Sequence, residues 1–190
     1  MFAEALRQQL PILQIELSDE QILQLRKHFD LLNRWNTVMS LTSVTDPNEI
    51  VQRHYCESLF LGAHLPQNPV DIVDIGSGAG FPGIPLAILR PDCDVALVES
   101  NQKKAVFLRE AARTLPNVRV LAKRAEDVAD EFDWAVSRAV NYRQIEGLLR
   151  RVARNIAMLA GESCPDHYFT WNKVKLPWGD HRFLWLGRST

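Results

Sequence analysis

The first third of the chain carries apolar residues at helical spacing. One such stripe consists of Ile22, Leu25, Phe29 and Leu32. Its period of three to four residues predicts an amphipathic helix whose stripe faces a core. Ser18 followed by Gln21 forms a capping box, so the predicted helix runs from Ser18 to about Trp35.

A second helix is predicted to begin at Asp46. Its side chain suits the N-cap position, and Pro47 follows at the first helical position, where its missing N–H costs nothing. This helix continues to a proline-containing linker at residues 66–69. We therefore expect residues 1–65 to form a helical cap and residues 66–190 to form a second domain.

From residue 70 onwards the pattern changes to short apolar blocks that alternate with amphipathic segments. The predicted strands are 70–75, 93–98, 118–121, 134–137 and 156–159. The predicted helices begin at about Gly83, run from Asn101 to Leu115, and run from Tyr142 to Asn155. Such alternation predicts an α/β fold with a doubly wound, mostly parallel sheet. Residues 168–176 and 181–186 are expected to close that sheet as a hairpin.

Composition limits the classes of protein to consider. The 190 residues are 46% hydrophobic and 24% charged, as in globular proteins, and no apolar run reaches the ~20 residues of a membrane span. The N-terminus lacks a basic, apolar leader, so we expect a cytoplasmic protein without membrane contact. Three distant cysteines and five scattered histidines give no disulfide or metal-binding pattern, and no metal is expected. The net charge of −1 means that any contact with RNA needs a local basic surface.

The segment VDIVDIGSGAGFPGIP at residues 70–85 joins the first predicted strand to a helix. Gly76, Gly78 and Gly80 alternate with other residues, which lets a ligand approach the backbone closely. The dinucleotide-binding pattern needs a glycine where this chain has Phe81. The spacing instead favours S-adenosylmethionine, which carries no phosphate and needs a loop that curls around its methionine end.

Acidic residues follow the next two predicted strands. Glu99 comes 23 positions after Gly76, close to the ~20-residue offset at which a carboxylate binds ribose hydroxyls. Glu126, beside Ala125 and Asp127, follows the third strand, where an adenine ring would lie. The alternative for each carboxylate is a solvated loop residue or a helix cap.

A set of motifs in fixed order extends from about residue 20 to residue 140. They are Ser40–Val44, Arg53–His54, Glu57–Ser58, the loop DIGSGAGFPGIPLAI, Lys103–Lys104, Phe107–Leu108, Arg124–Glu126 and Val136–Ala139. In these motifs the chain resembles the RsmG (GidB) family of bacterial 16S ribosomal RNA guanine-N7 methyltransferases. Of these motifs, the GFPG extension at residues 80–83 is the one most specific to the family.

The resemblance implies a Rossmann-like, class I methyltransferase domain with an N-terminal helical cap and S-adenosylmethionine as the methyl donor. The cofactor contacts that it implies fall on Gly76, Gly78, Phe81, Glu99, Ala125, Glu126 and Arg138. For Arg138 we expect pairing with the methionine carboxylate or with an RNA phosphate, the alternative being a structural salt bridge. The implied acceptor is N7 of a guanine in 16S rRNA. Because N7 has a free lone pair and no proton to lose, catalysis by proximity is expected, without a catalytic acid, base or nucleophile.

The acceptor side departs from the family pattern. Ala160 stands where the family has a lysine before a glycine, so Lys173 or Lys175 from the hairpin is expected to supply the RNA contact instead. Arg53 and His54 are further RNA-binding candidates, with a core role as the alternative for His54.

The expected partner is 16S rRNA within the small ribosomal subunit or an assembly intermediate, bound by a monomer. Two other functions fit the same residues. One is a methyltransferase that acts on a small molecule or a protein. The other is an S-adenosylmethionine-binding and RNA-binding module without turnover, which Ala160 and the short C-terminal segment suggest.

Overall fold

The N-terminal part of the protein is helical. The computed structural model of the protein describes residues 2–138, 142–162 and 169–189. The α-helices before the first strand are α1 (Phe2–Leu13), α2 (Asp19–Asn36), α3 (Pro47–Ile50) and α4 (Glu57–Ala63), with a π-helical turn at Val51–Cys56 between the last two. The helices that follow are α5 (Gly83–Leu89), α6 (Gln102–Ala111) and α7 (Tyr142–Val152), with a 3₁₀ turn at Ala125–Asp127.

Seven strands form one sheet. They are β1 (Asp71–Ile75), β2 (Asp94–Val98), β3 (Val118–Leu121), β4 (Phe132–Arg138), β5 (Ala153–Ala160), β6 (Phe169–Lys175) and β7 (Phe183–Ser189). Their order is β3-β2-β1-β4-β5-β7-β6, and the first five are parallel. The antiparallel β6 and β7 form the hairpin that the sequence predicts, although Tyr168 lies outside the described residues. This topology confirms the doubly wound α/β class.

The predicted helix starts are confirmed by hydrogen bonds. The Ser18 hydroxyl accepts the Gln21 N–H at 3.2 Å, and the Gln21 side chain accepts the Ser18 N–H at 2.9 Å. Asp46 accepts the N–H of Glu49 at 2.8 Å. The capping residues therefore set these two starts, as their side-chain chemistry requires.

Helix α6 ends at Ala111, four residues before the predicted Leu115, and two further features of the backbone differ from the prediction. Helix α7 ends at Val152, three residues before Asn155, because Ala153 pairs with Phe132 and begins β5. The predicted helix after Asp46 contains the π-helical turn, where the Glu57 N–H donates to the carbonyl of Gln52, five residues earlier. Such turns are rare and often lie at functional sites.

The sheet has a separate hydrophobic core on each face. On one face, buried residues of the N-terminal helices such as Leu25 and Tyr55 pack with Ile72 and Leu97 of the sheet in one continuous cluster. On the other face, the packing helix is α7. A domain division near residue 65 remains a prediction. Within the described ranges, no helix is both long and apolar enough to cross a bilayer.

Candidate functional site

The strand order places a crevice at the carboxyl ends of β1 and β4. The chain runs outward through β2 and β3 and then returns to place β4 on the other side of β1. Asp74 pairs with Val136 in register, so Gly76 and Arg138 leave the sheet side by side. Open α/β sheets bind ligands at such a switch point.

The glycine loop lies in this crevice. Gly76, Gly78 and Gly80 have φ angles of 74°, 56° and 84°, which side chains rarely adopt. A Cβ atom at Gly80 would come within 2.5 Å of the Ile84 side chain, so that glycine is needed for internal packing. Apart from its chain neighbours, a Cβ at Gly78 would meet a single described atom within 4 Å, the Gly76 carbonyl oxygen at 3.8 Å. The open side of Gly78 therefore offers space for a ligand.

Glu99 connects the second strand to the glycine loop. Its carboxylate accepts the Gly78 N–H at 3.0 Å and the Asn101 N–H at 2.8 Å, and the residue is only 8% exposed. One hydrogen bond to each oxygen leaves lone pairs for further donors, because an ionised carboxylate has about four acceptor positions. Glu99 can therefore support the loop and also bind a pair of ligand hydroxyls.

A cavity of about 280 Å³ opens beside this carboxylate. Small-molecule sites begin at about 300 Å³, so the cavity suits part of a nucleoside ligand. Gly76, Glu99, Ala125 and Glu126, four of the predicted cofactor residues, line it together. Lys123 and Ile145 also line it, and the sequence patterns did not single them out.

Asp74 supports the loop from the core side. The residue is fully buried, and its Oδ2 atom accepts the Gly83 N–H at 3.0 Å, where a Cβ on Gly83 would come within 2.6 Å of the same oxygen. Oδ1 is buried and has no hydrogen-bond partner among the residues that the structure describes. Burial raises the pKa of Asp74 to about 7, against the weaker opposing effect of that backbone N–H.

Phe81 lies outside the 280 Å³ cavity, packed between two histidines and a tyrosine. His28 donates from Nε2 to the carbonyl of Ala79 at 3.0 Å, and Tyr55 donates its hydroxyl proton to His28 Nδ1 at 2.8 Å. Burial lowers the pKa of His28 to about 4. The N-terminal helices thus hold the glycine loop by a hydrogen bond from a neutral imidazole. The sequence pattern gave no sign of this role, because His28 only borders an apolar stripe.

Arg138 lies apart from the cavity and touches the π-helical turn. Its guanidinium donates to the carbonyl of Arg53 and, at 2.5 Å, to Nδ1 of His54. Across the described part of the chain, no carboxylate lies within ion-pair distance of Arg138. Burial lowers the pKa of Arg138 to about 10. Among these contacts Arg138 therefore forms no structural salt bridge, which was the alternative to ligand binding. Its hydrogen-bond partners are neutral.

His54 is 4% exposed and uses both ring nitrogens inside the protein. Because Arg138 can only donate, Nδ1 accepts, and Nε2 carries the proton toward the Thr42 hydroxyl at 2.8 Å. Burial and the charge of Arg138 lower the pKa of His54 to about 3. This geometry favours an internal role for His54 over direct contact with RNA.

A buried ion pair lies next to these residues. Glu57, which is 0% exposed, accepts two hydrogen bonds from the Arg182 guanidinium, at 2.6 and 2.5 Å. Arg182 comes from the turn between β6 and β7, so the pair joins the N-terminal helices to the C-terminal hairpin. Glu57 was noted only as part of a motif, and Arg182 was not predicted, because no local pattern relates positions 125 residues apart.

The remaining RNA-binding candidates lie at the surface. Arg53 forms an ion pair with Glu49 at 2.5 Å. Lys173 lies 3.8 Å above the ring of Phe183 and donates to the carbonyl of Glu162. Lys175 is exposed. Phe183 of β7, the strand between β5 and β6, pairs with Ala160 on one side and with Lys175 on the other. The hairpin thus places a lysine on the same sheet face as Ala160.

In residues 2–138, 142–162 and 169–189, no group of three or more histidine, cysteine, aspartate or glutamate side chains is arranged to bind a metal ion.

A family model and individual proteins match this sequence. The model described as GidB, rRNA small subunit methyltransferase G, matches residues 21–160. A ribosomal RNA small subunit methyltransferase G from Roseiflexus sp. (strain RS-1) is 44% identical over 134 residues, covering 66% of this chain and 57% of the relative. A protein of the same name from Nitrosomonas europaea is 45% identical over 120 residues, covering 61% of this chain and 55% of the relative. The chain thus spans little more than half the length of these relatives.

Solved structures share the fold. MtNAS in complex with MTA and tNA matches with a TM-score of 0.64 and 20% identity, covering 88% of this chain and 70% of that one. A SAM-dependent methyltransferase from Aquifex aeolicus matches with a TM-score of 0.59 and 15% identity, covering 76% of this chain and 94% of that one. At these identities the likeness supports the fold, a Rossmann-like sheet with flanking helices.

Proposed function

The chain belongs to the rRNA small subunit methyltransferase G (GidB) family, and from this premise we propose that it transfers a methyl group from S-adenosylmethionine to N7 of a guanine in 16S rRNA. The observation that carries the proposal is the open side of Gly78 beside the carboxylate of Glu99. This pair offers a backbone surface and a hydroxyl-binding group at a switch point, as a nucleoside cofactor requires.

The residues of the crevice fit the two ends of the cofactor. Glu99 would accept the ribose hydroxyls, with each charge-assisted hydrogen bond contributing about 1.5–3 kcal/mol. Ala125 and Glu126 would border the adenine, since they line the same cavity as Glu99. Gly76 and Gly78 would leave room for the methionine end.

Arg138 would bind the methionine carboxylate. It emerges beside Gly76, and its present hydrogen-bond partners are a backbone carbonyl and a neutral imidazole, neither of which forms an ion pair with it. Its guanidinium lies 5.7 Å above the ring of Phe81. We therefore propose that Phe81 acts by supporting Arg138, a cation–π contact that keeps the charge available.

The demands on the protein's own groups are then small. When bound, S-adenosylmethionine supplies an activated methyl group on a sulfonium. The guanine N7 atom has a lone pair in the plane of the base and no proton to remove, so no general base is needed. What the protein must supply is orientation, which alone is worth about 7–11 kcal/mol of barrier in favourable cases.

The proposed substrate is the rRNA within the small subunit or an assembly intermediate, and the protein is proposed to act there as a monomer. A net charge of −1 provides little of the general electrostatic attraction on which binding to bare RNA depends. Arg53, Lys173 and Lys175 are the proposed RNA contacts. An rRNA substrate would place the reaction in the cytoplasm.

The test is mass mapping of ribosomal RNA from cells with and without the gene for this chain. We expect a single 7-methylguanosine to disappear from 16S rRNA and to return when the gene is restored. Unchanged rRNA would refute the proposed acceptor. Turnover of S-adenosylmethionine on other substrates would then indicate a small-molecule or protein methyltransferase, and binding without turnover would indicate a binding module.

A further inference from the structure

Three side chains form a hydrogen-bonded series that ends at Arg138. The Thr42 hydroxyl accepts a hydrogen bond from Nε2 of His54 at 2.8 Å, and Nδ1 of His54 accepts a hydrogen bond from Arg138 at 2.5 Å. The Thr42 oxygen also accepts the N–H of Val44 at 3.2 Å, which holds the hydroxyl in place. The direction of each bond follows from the donors available, because a guanidinium has no acceptor atom.

The backbone of the π-helical turn adds a second acceptor for the same guanidinium. The carbonyl of Arg53 accepts from Nη1 of Arg138, while the N–H of Glu57 bonds to the carbonyls of Gln52 and His54. In a regular α-helix the N–H of Glu57 would bond to Arg53 instead. The π-helical turn therefore makes the Arg53 carbonyl available, and both acceptors of Arg138 come from consecutive residues.

Both acceptors are uncharged, although carboxylates lie nearby. Glu57 is paired with Arg182 and Glu49 with Arg53, each at 2.5 Å. Two carboxylates thus compensate two of the three arginines in this cluster. Arg138 is the third: its hydrogen-bond partners are uncharged, and the carboxylates of Glu57 and Asp74 attract it only from beyond ion-pair distance.

We propose that His54 is a positioning residue that orients Arg138 without neutralising it, with the Thr42 hydroxyl accepting the hydrogen bond from Nε2 and so holding the imidazole in place. This inference rests on the proposed function in one respect, namely that the anion which Arg138 receives is the carboxylate of S-adenosylmethionine. An acidic residue at position 54 would hold the guanidinium equally well but would compete with the ligand for it.

The test compares His54→Asn with His54→Asp, which have nearly the same shape. Either side chain can place an oxygen near the position of the Nδ1 atom, but the aspartate is charged. We expect His54→Asn to bind S-adenosylmethionine within about threefold of the parent, and His54→Asp to bind about 10- to 100-fold more weakly, as expected for one charge-assisted hydrogen bond. Calorimetry gives the affinities, and thermal melting should show the Asp variant at least as stable as the Asn variant.

A purely structural role predicts equal affinities for the two variants, and that result would overturn the proposal. The effect must also depend on Arg138: in an Arg138→Gln background, Asn and Asp at position 54 should bind the cofactor equally, because coupled residues are not additive. A remaining difference in that background would equally overturn it. Failure of the proposed function would look different. The parent would then still bind S-adenosylmethionine, and the variants at position 54 would still differ in affinity, but rRNA would not be methylated.

The tautomer can be measured without any ligand or substitution at position 54. We expect ¹⁵N NMR of the parent to show His54 neutral with its proton on Nε2, and Thr42→Ser to preserve this state. Thr42→Val removes the acceptor of the Nε2 proton and should loosen the imidazole without changing its tautomer, with a loss of cofactor affinity that Thr42→Ser does not show. A proton on Nδ1 in the parent would refute the arrangement.

Discussion

The backbone N–H of Gly78 donates to the carboxylate of Glu99 across 3.0 Å, although the residues are 21 positions apart. The loop after β1 and the end of β2 are thereby one structural unit, and the carboxylate is oriented before any ligand arrives. Preorganisation of this kind lowers the cost of binding, because fewer groups have to be ordered.

We predict that Gly78→Val abolishes measurable binding of S-adenosylmethionine. The φ angle of 56° costs a side chain about 1–2 kcal/mol, and a β-branched residue resists it further. The valine side chain would also occupy the open space beside Gly78 that is proposed for the ligand. Calorimetry on the folded variant is the measurement, with circular dichroism to establish folding.

The matched control is Gly147→Ala on the exposed face of α7. Beyond its own helix backbone and chain neighbours, a Cβ at Gly147 would meet no atom of the described residues within 4 Å. We expect unchanged cofactor affinity and up to about 1 kcal/mol of added stability, the usual gain for alanine in a helix. Cofactor affinity in Gly78→Val equal to that of this control would show that the loop does not contact the ligand.

We predict that Arg182→Ala destabilises the protein by about 3–5 kcal/mol in urea unfolding, because it leaves the fully buried Glu57 carboxylate unpaired. Glu57→Gln should cost less, since the amide still offers an oxygen to Arg182, which is partly exposed and can reach water. Equal losses for the two variants would contradict this asymmetry and point to lost packing.

The fold and half of the site could be predicted because their determinants are local. Ser18 and Asp46 cap helices through residues three positions away, and Glu99 follows a strand at a characteristic distance from Gly76. Short-range periodicity and turn chemistry set such features, so a single sequence displays them.

The other half of the site depends on tertiary contacts that have no fixed spacing. Arg138 meets His54 across 84 positions, and Arg182 meets Glu57 across 125. The π-helical turn is also invisible in the sequence, since its residues have an ordinary helical pattern. Phe81, which the resemblance places among the cofactor contacts, packs against the rings of His28 and Tyr55, and no local pattern indicates that packing.

Buried neutral histidines predict a dependence of stability on pH. The pKa of His28 is about 4 and that of His54 about 3, both lowered chiefly by burial from 6.5. Below pH 6.5 the unfolded chain binds protons at these positions that the fold excludes. Each histidine therefore adds stability that is present above pH 6.5 and is lost, as pH falls toward 4, by about 1.4 kcal/mol per pH unit.

Asp74 acts in the opposite direction. Burial raises its pKa from 3.8 to about 7, so the fold keeps a proton that the unfolded chain releases, and its contribution is lost as pH rises toward 7. Between about pH 5 and 6 the unfolded chain holds protons on both histidines and the folded protein holds one on Asp74. The free energy of unfolding therefore rises with pH at a slope that corresponds to about one proton. We predict that Asp74→Asn steepens this slope by one proton in urea unfolding and that His28→Gln flattens it by one. If the free energy of unfolding depended on pH with the same slope in the parent and both variants, the shifted pKa values of Asp74 and His28 would be refuted.

The last prediction concerns Lys173 and Lys175, the lysines proposed to make the RNA contact that Ala160 cannot make. Lys173 is held over Phe183, whereas Lys175 forms a 3.7 Å ion pair with the exposed Asp180, which contributes little to stability. We expect Lys175→Ala to raise KM for rRNA with kcat and melting temperature unchanged, and to reduce the salt dependence of binding by about one phosphate contact. Lys27→Ala on α2, which packs on the other sheet face, serves as the control for charge alone. If both variants lower affinity equally, the effect comes from net charge, and Lys175 makes no specific contact.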